Sequence, residues 1–146
     1  MADMPTVRTL DELTELARRR PRLLVRWSRG PAADATGQSA DDLTGEPLPG
    51  LSANPLAVEP WWGDRSLRLW IARRLFDYSH LKHEKSPGVR PWLLEGRELA
   101  RGPDNEPLVA CDRAVAWIDD GVIDESARTV DQQNARWGPL RRRATK

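Results

Sequence analysis

Residues 61–83, WWGDRSLRLWIARRLFDYSHLKH, decide how the rest of the chain is read. Leu67, Trp70, Ile71, Leu75, Tyr78 and Leu81 recur at helical spacing, so their side chains gather along one side of an α-helix. Asp64 stands where a helix cap belongs, and Arg65, Arg68, Arg73, Asp77 and Lys82 fall mostly on the remaining surface. The pattern is that of a half-buried helix, because a membrane span tolerates few such charges. Its apolar side needs a partner layer, which the flanking segments must supply.

Upstream, Thr9 and Glu12 form a capping-box pattern ahead of Leu10, Leu13, Leu16 and Ala17, which predicts a first helix ending near Arg20, before Pro21. Residues 22–28, RLLVRWS, read as a strand with Leu23, Val25 and Trp27 on an apolar face and Arg26 on the other. Residues 29–60 are rich in Gly, Pro, Asp, Ser and Ala and predict a long irregular loop. Within it, the prolines of PLPGLSANPL, residues 47–56, leave room for an ordered turn or short strand.

Downstream, residues 91–99 read as a strand with Gly96 as a bulge, residues 101–105 as a turn, and residues 106–111 and 114–118 as further strands. Residues 121–123 suggest the start of a fourth, and about 126–146 a polar C-terminal tail that frays. The expected architecture is α+β: a small, mainly antiparallel sheet packed with two helices, in a single domain spanning residues 1–146.

Composition agrees with one domain. The chain has 146 residues, inside the range of roughly 100 to 150 where single domains cluster, and its 39% hydrophobic content with seven tryptophans supplies a core. A net charge of +1 gives no overall field for nucleic acid or an anionic membrane, so neither is an expected partner. No signal-peptide pattern or apolar membrane span is present, and Cys111 is the sole cysteine, which points to a reducing cytoplasm.

Three segments carry a functional pointer: Arg26 in VRWSRG, Ser52 in GLSAN and Glu106 in DNEPLV. Their order, with a helix between the serine and glutamate segments, resembles the arginine, serine, glutamate pattern of ADP-ribosyltransferases. The resemblance implies NAD as cofactor. Arg26, or alternatively Arg29, would hold its diphosphate through paired charged hydrogen bonds; Ser52 would position the ribose or the arginine. Glu106 would stabilise the charge that develops as nicotinamide leaves. Asp104 stands where many members of that family carry the residue that orients the acceptor. Ala53 and Asn54 depart from the threonine and serine that usually follow the family's serine. The bland reading of the same residues is an exposed strand arginine, a turn serine and a strand-end glutamate.

A second reading, from another class, is a protein-interaction module using the long loop and exposed tryptophans. Trp27, Trp70, Trp92 and Trp117 fit a core by periodicity, whereas Trp61, Trp62 and Trp137 are left for a binding surface. His80 and His83 are too few for a zinc site, so no metal is expected, and Cys111 within LVACD reads as a small buried hydrophobe at a strand end. GLSANPL, WWGDRSL and GPDNEPLV together are similar to small uncharacterised proteins of Streptomyces-like actinobacteria. Arg26 and Glu106 facing one cleft would favour the enzyme; exposed edge tryptophans would favour the module.

Overall fold

Thr9 caps the first helix as its sequence context predicts, its Oγ1 accepting from the Glu12 N–H at 3.0 Å, but Glu12 reaches back to the N–H of Arg8 at 2.9 Å, one residue before the cap. The computed structural model describes residues 4–32, 50–78, 88–102 and 107–137. Within them the order is β1 (Thr6–Val7), α1 (Leu10–Arg19), β2 (Leu23–Ser28), β3 (Leu51–Ser52), β4 (Asn54–Pro55), a 3₁₀ turn (Pro60–Trp62), α2 (Leu67–Tyr78), β5 (Arg90–Arg101), β6 (Pro107–Ile118) and α3 (Asp120–Trp137). The class is α+β as expected, with three α-helices among the described residues instead of two.

The sheet runs β1-β6-β5-β2-β4, and β3 pairs with β6. Among the described residues, only the β1–β6 pair is parallel. Residues 51–55 therefore touch two strands that β5 separates: Leu51 and Ser52 lie opposite Val109 and Leu108, while Asn54 and Pro55 lie opposite Val25 and Leu24. A flat sheet cannot satisfy both pairings. The sheet curls until this short crosspiece bridges its ends, and Ala53, at the crosspiece's centre, is buried.

Curling gives β2 two apolar faces. Leu23 and Val25 join Leu93, Ala116, Ile118 and the helices in the larger core. Leu24, on the opposite face, packs with Ala53, Trp92, Leu94 and Val109 inside the curl. Every residue of β2 is buried, Arg26 and Ser28 included, so the expected exposed face of this strand does not exist. Side-chain alternation was legible; the second layer covering the other face was not.

β5 and β6 form a long hairpin whose register shifts near Gly96, the predicted bulge, and also between Leu93 and Leu94 and between Glu98 and Ala100. A Cβ on Gly96 would stand 2.2 Å from the Ala110 carbonyl oxygen, so only glycine permits this approach. The two strands expected at 106–111 and 114–118 are one continuous strand. Cys111 is exposed on it, not buried, because it falls in the exposed run Cys111–Arg113 in the middle of the strand and not in its buried first residues.

The segment at 61–83 also differs from its reading. A 3₁₀ turn holds Trp61 and Trp62, Gly63 turns the chain with φ 68°, and α2 begins only at Leu67, with Ser66 Oγ, not Asp64, accepting from the Leu69 N–H at 3.3 Å. Among its described side chains, Leu69, Trp70, Ile71, Ala72 and Leu75 are buried, while Leu81 and the side chain of Tyr78 lie outside the described residues. The third helix stands where the short strand at 121–123 and the first part of the polar tail, up to residue 137, were expected; residues 138–146 lie outside the described residues. Val122, Ser126 and Val130 recur at a spacing of one helical turn and are buried against the rest of the fold. Each valine contributes about 1.5–3 kcal/mol by burial, enough to outweigh a sequence that reads as polar.

Arg68 ties the three helices together. Its Nε donates to Asp11 of α1 and its Nη2 to Glu125 of α3, both at 2.7 Å, while Glu125 Oε1 accepts from the Leu10 N–H at 2.9 Å. One carboxylate thus satisfies a first-turn N–H of α1 and a cation of α2. Among the described residues, no helix is long and apolar enough to cross a membrane.

Candidate functional site

Of the residues singled out from sequence, the curl brings Arg26 and Ser52 into contact. Arg26 rises from the middle of β2, and its Nη1 donates to the carbonyl oxygen of Ser52 at 2.8 Å. Only 8% of Arg26 is exposed. A guanidinium taken this far from water needs acceptors, and the crosspiece supplies one from its main chain. The contact does not run through the serine hydroxyl, so any residue at position 52 could offer it.

Around Arg26 the enclosed face is aromatic. Trp92 lies opposite it in register, and the Trp92 indole N–H donates to Ser28 Oγ at 2.8 Å, with the Gly30 N–H donating to the same oxygen at 3.1 Å. Gly30 adopts φ +114°, and a Cβ there would fall 2.4 Å from the Trp117 ring. Arg90 stacks over that ring with its guanidinium carbon 4.2 Å from the centroid. Arg29, the alternative phosphate ligand, is exposed. Asp104 and Glu106 lie outside the described residues, as do His80, His83 and the side chain of Trp137. Among the described residues, no group of three or more His, Cys, Asp or Glu side chains is placed to hold a metal ion.

The second concave region lies on the helical side and is lined by Glu59, Trp61, Trp62, Trp70, Arg73, Arg74 and Asp77, enclosing about 210 Å³. Two of the residues expected to form an exposed tryptophan surface meet here, but Trp62 is 1% exposed and Trp61 half-buried. Trp62 is a structural anchor. Its indole N–H donates to the carbonyls of Arg65 and Ser66 at 3.0 and 3.1 Å, and Arg65 returns the contact by donating from Nε to the Trp62 carbonyl at 2.9 Å while stacking 4.3 Å from its ring. A WW pair ahead of a helix looks like a sticky surface in sequence; folding the turn over α2 buries half of it.

Trp61, Trp62 and Trp70 form a mutual cluster with ring centroids 5.2 to 5.7 Å apart, in edge-on and tilted arrangements that suit aromatic quadrupoles. Helical spacing then sets Arg73, Arg74 and Asp77 along the rim after Trp70. Arg74 lies 4.7 Å from the Trp70 centroid. Glu59 answers two donors at once: Oε1 accepts from the Trp61 indole N–H at 3.1 Å and Oε2 from Arg74 Nη2 at 2.8 Å. Two other donors of residues lining this region, Trp70 Nε1 and Arg74 Nε, are buried and find no acceptor among the described residues. Burial raises the Asp77 pKa above its ordinary value, against the opposing pull of Arg73 and Arg74.

Sequence reading missed Glu59, Arg73 and Arg74 as members of a site. The helical spacing of Trp70, Arg73, Arg74 and Asp77 was a usable signal, but Glu59 reaches them only because the 3₁₀ turn doubles back. Comparisons with curated proteins and with solved structures find no match to this chain. A family model matches residues 1–138, so the chain belongs to the family of unknown function DUF6098.

Proposed function

We propose that this protein is a binding module whose cleft between the 3₁₀ turn and α2 receives one planar apolar group. The observation that carries this reading is the cluster of Trp61, Trp62 and Trp70 beside Arg73 and Arg74 around about 210 Å³. That volume lies below the roughly 300–1,000 Å³ of pockets for drug-sized ligands, which suits a single ring and not a dinucleotide. Tryptophan and arginine are the residue types that concentrate binding energy, because they offer large contact area at low entropic cost.

The test is nitrogen–proton NMR of the indole N–H signals with phenylacetate, 2-phenylethanol and phenethylamine, which share a ring and differ in charge. At least one is expected to shift the Trp61 and Trp70 signals with a Kd of about 1 mM or tighter, and Trp61→Ala to weaken it. If none of the three perturbs either signal at about ten times that concentration, the reading fails.

A second reading follows the likeness to ADP-ribosyltransferases and places NAD at the mouth of the curled sheet. The 2.8 Å contact of Arg26 with Ser52 supports it, by joining the first two residues of that pattern. Protection on heating by millimolar NAD, lost in Arg26→Lys, is the expected result; an unchanged melting temperature excludes it. Cys111, exposed on β6, suits a protein working in the reducing cytoplasm.

A further inference from the structure

Glu59 shows what the tryptophan cleft binds well. Its carboxylate bridges an indole N–H, that of Trp61, and a guanidinium N–H, that of Arg74, at 3.1 and 2.8 Å. Two of the side chains that line the cleft carry further donors of the same two kinds, Trp70 Nε1 and Arg74 Nε, both buried and both without an acceptor among the described residues. Trp70 is only 3% exposed, so solvent does not compensate its indole N–H. A buried donor left unsatisfied costs about 1–3 kcal/mol, and a charged one more, which an arriving acceptor recovers.

From this repeat we infer that the ligand of the cleft is a small aromatic carboxylate, its ring seated against Trp61 and its carboxyl oxygens accepting from Trp70 and Arg74 after a small shift of those side chains. The inference rests on the binding reading given above and specifies its ligand class. Four features of the cleft favour that class over the alternatives. The rings provide a surface for one aromatic group. The two unmatched groups are donors, so they select an acceptor over an ammonium ion. Arg73 and Arg74 stand at the rim, paired there with Asp77 and Glu59, and an ion-assisted hydrogen bond to the remaining Arg74 Nε is about twice as strong as a neutral one. The volume of about 210 Å³ suits a free acid more than a folded partner's surface.

The experiment compares the three ring compounds on the whole chain and follows the Trp70 indole N–H signal, identified by its loss in Trp70→Phe. Phenylacetate is expected to move that signal and to bind at least about tenfold more tightly than 2-phenylethanol or phenethylamine. Arg74→Lys keeps the positive charge but removes the Nε donor, and is expected to erase that advantage while leaving the indole signals of Trp27, Trp92 and Trp117 unmoved, which shows that the fold survives. A tetrapeptide ending in phenylalanine with a free carboxyl group tests the other source of the same chemistry. Binding of that peptide about tenfold tighter than phenylacetate would overturn the free-acid assignment. Equal binding of the neutral or cationic compound would overturn the carboxylate class while leaving the cleft a binding site. Silence of all three compounds would remove both.

Discussion

Arg26 Nη1 lies 2.8 Å from the carbonyl oxygen of Ser52, and this bond fastens the crosspiece of the curled sheet to β2. The acceptor belongs to the main chain. Ser52→Ala is therefore expected to change stability by no more than about 0.5 kcal/mol, whereas Arg26→Met should cost about 1.5–3 kcal/mol, the range for hydrogen bonds to charged groups. Urea unfolding of the two variants measures the difference. A serine variant as damaging as the arginine variant would mean that the hydroxyl carries the role.

Ser28 Oγ accepts from the buried indole N–H of Trp92 at 2.8 Å. Ser28→Ala leaves that N–H without its acceptor inside the curl and is expected to cost about 1–3 kcal/mol. Trp92→Phe removes the donor and also indole volume. In the double variant the two losses should sum to less than additively, because the second change removes an already broken bond. Strict additivity in a double-mutant cycle would show that the pair is not coupled.

Glu125 serves two helices, accepting from the Leu10 N–H and from Arg68. Glu125→Ala should cost about 1–3 kcal/mol because the partly buried N–H and guanidinium both lose an acceptor. Asp11→Ala, which breaks only the exposed arm of the same arginine, should cost less than about 1 kcal/mol and fade with added salt. Thermal melts at low and high ionic strength separate the two.

Asp77 carries a pKa raised above its ordinary value of 3.8, with burial the leading cause. The folded chain therefore holds this proton more readily than the unfolded chain, and stability falls as pH rises through the folded pKa. Asp77→Asn removes that cost at neutral pH. The variant is expected to be more stable than the parent at pH 7, with the gain vanishing below pH 3.8, where both states of the parent are protonated. Denaturant midpoints across that range decide it. A variant less stable at pH 7 would show that attraction to Arg73 and Arg74 outweighs desolvation.

Much of the fold was legible where local chemistry and burial agree. The Thr9 cap, the end of α1 before Pro21, the alternation in β2 and the Gly96 bulge each depend on a few neighbouring residues. α3 was not legible, since Val122, Ser126 and Val130 become a buried stripe only when α2 offers them a surface. For the candidate site, Trp61 stood out from composition, whereas Trp70 was read as a core residue by its spacing. Trp62 was misjudged because nothing local says that Arg65 and the α2 face will enclose it.

The sequence by itself determined the α+β class, the helical spacing of Trp70, Arg73, Arg74 and Asp77, and the pairing of Thr9 with Glu12, all set by side-chain period and short-range hydrogen bonding. Tertiary structure decided the curl, the burial of Arg26 and the meeting of Glu59 with Trp61 and Arg74. Those depend on residues 51–55 pairing with two strands at once and on a 3₁₀ turn folding back over a helix. Contacts between residues far apart in the chain are selected by the packing of the whole core, which no single segment encodes.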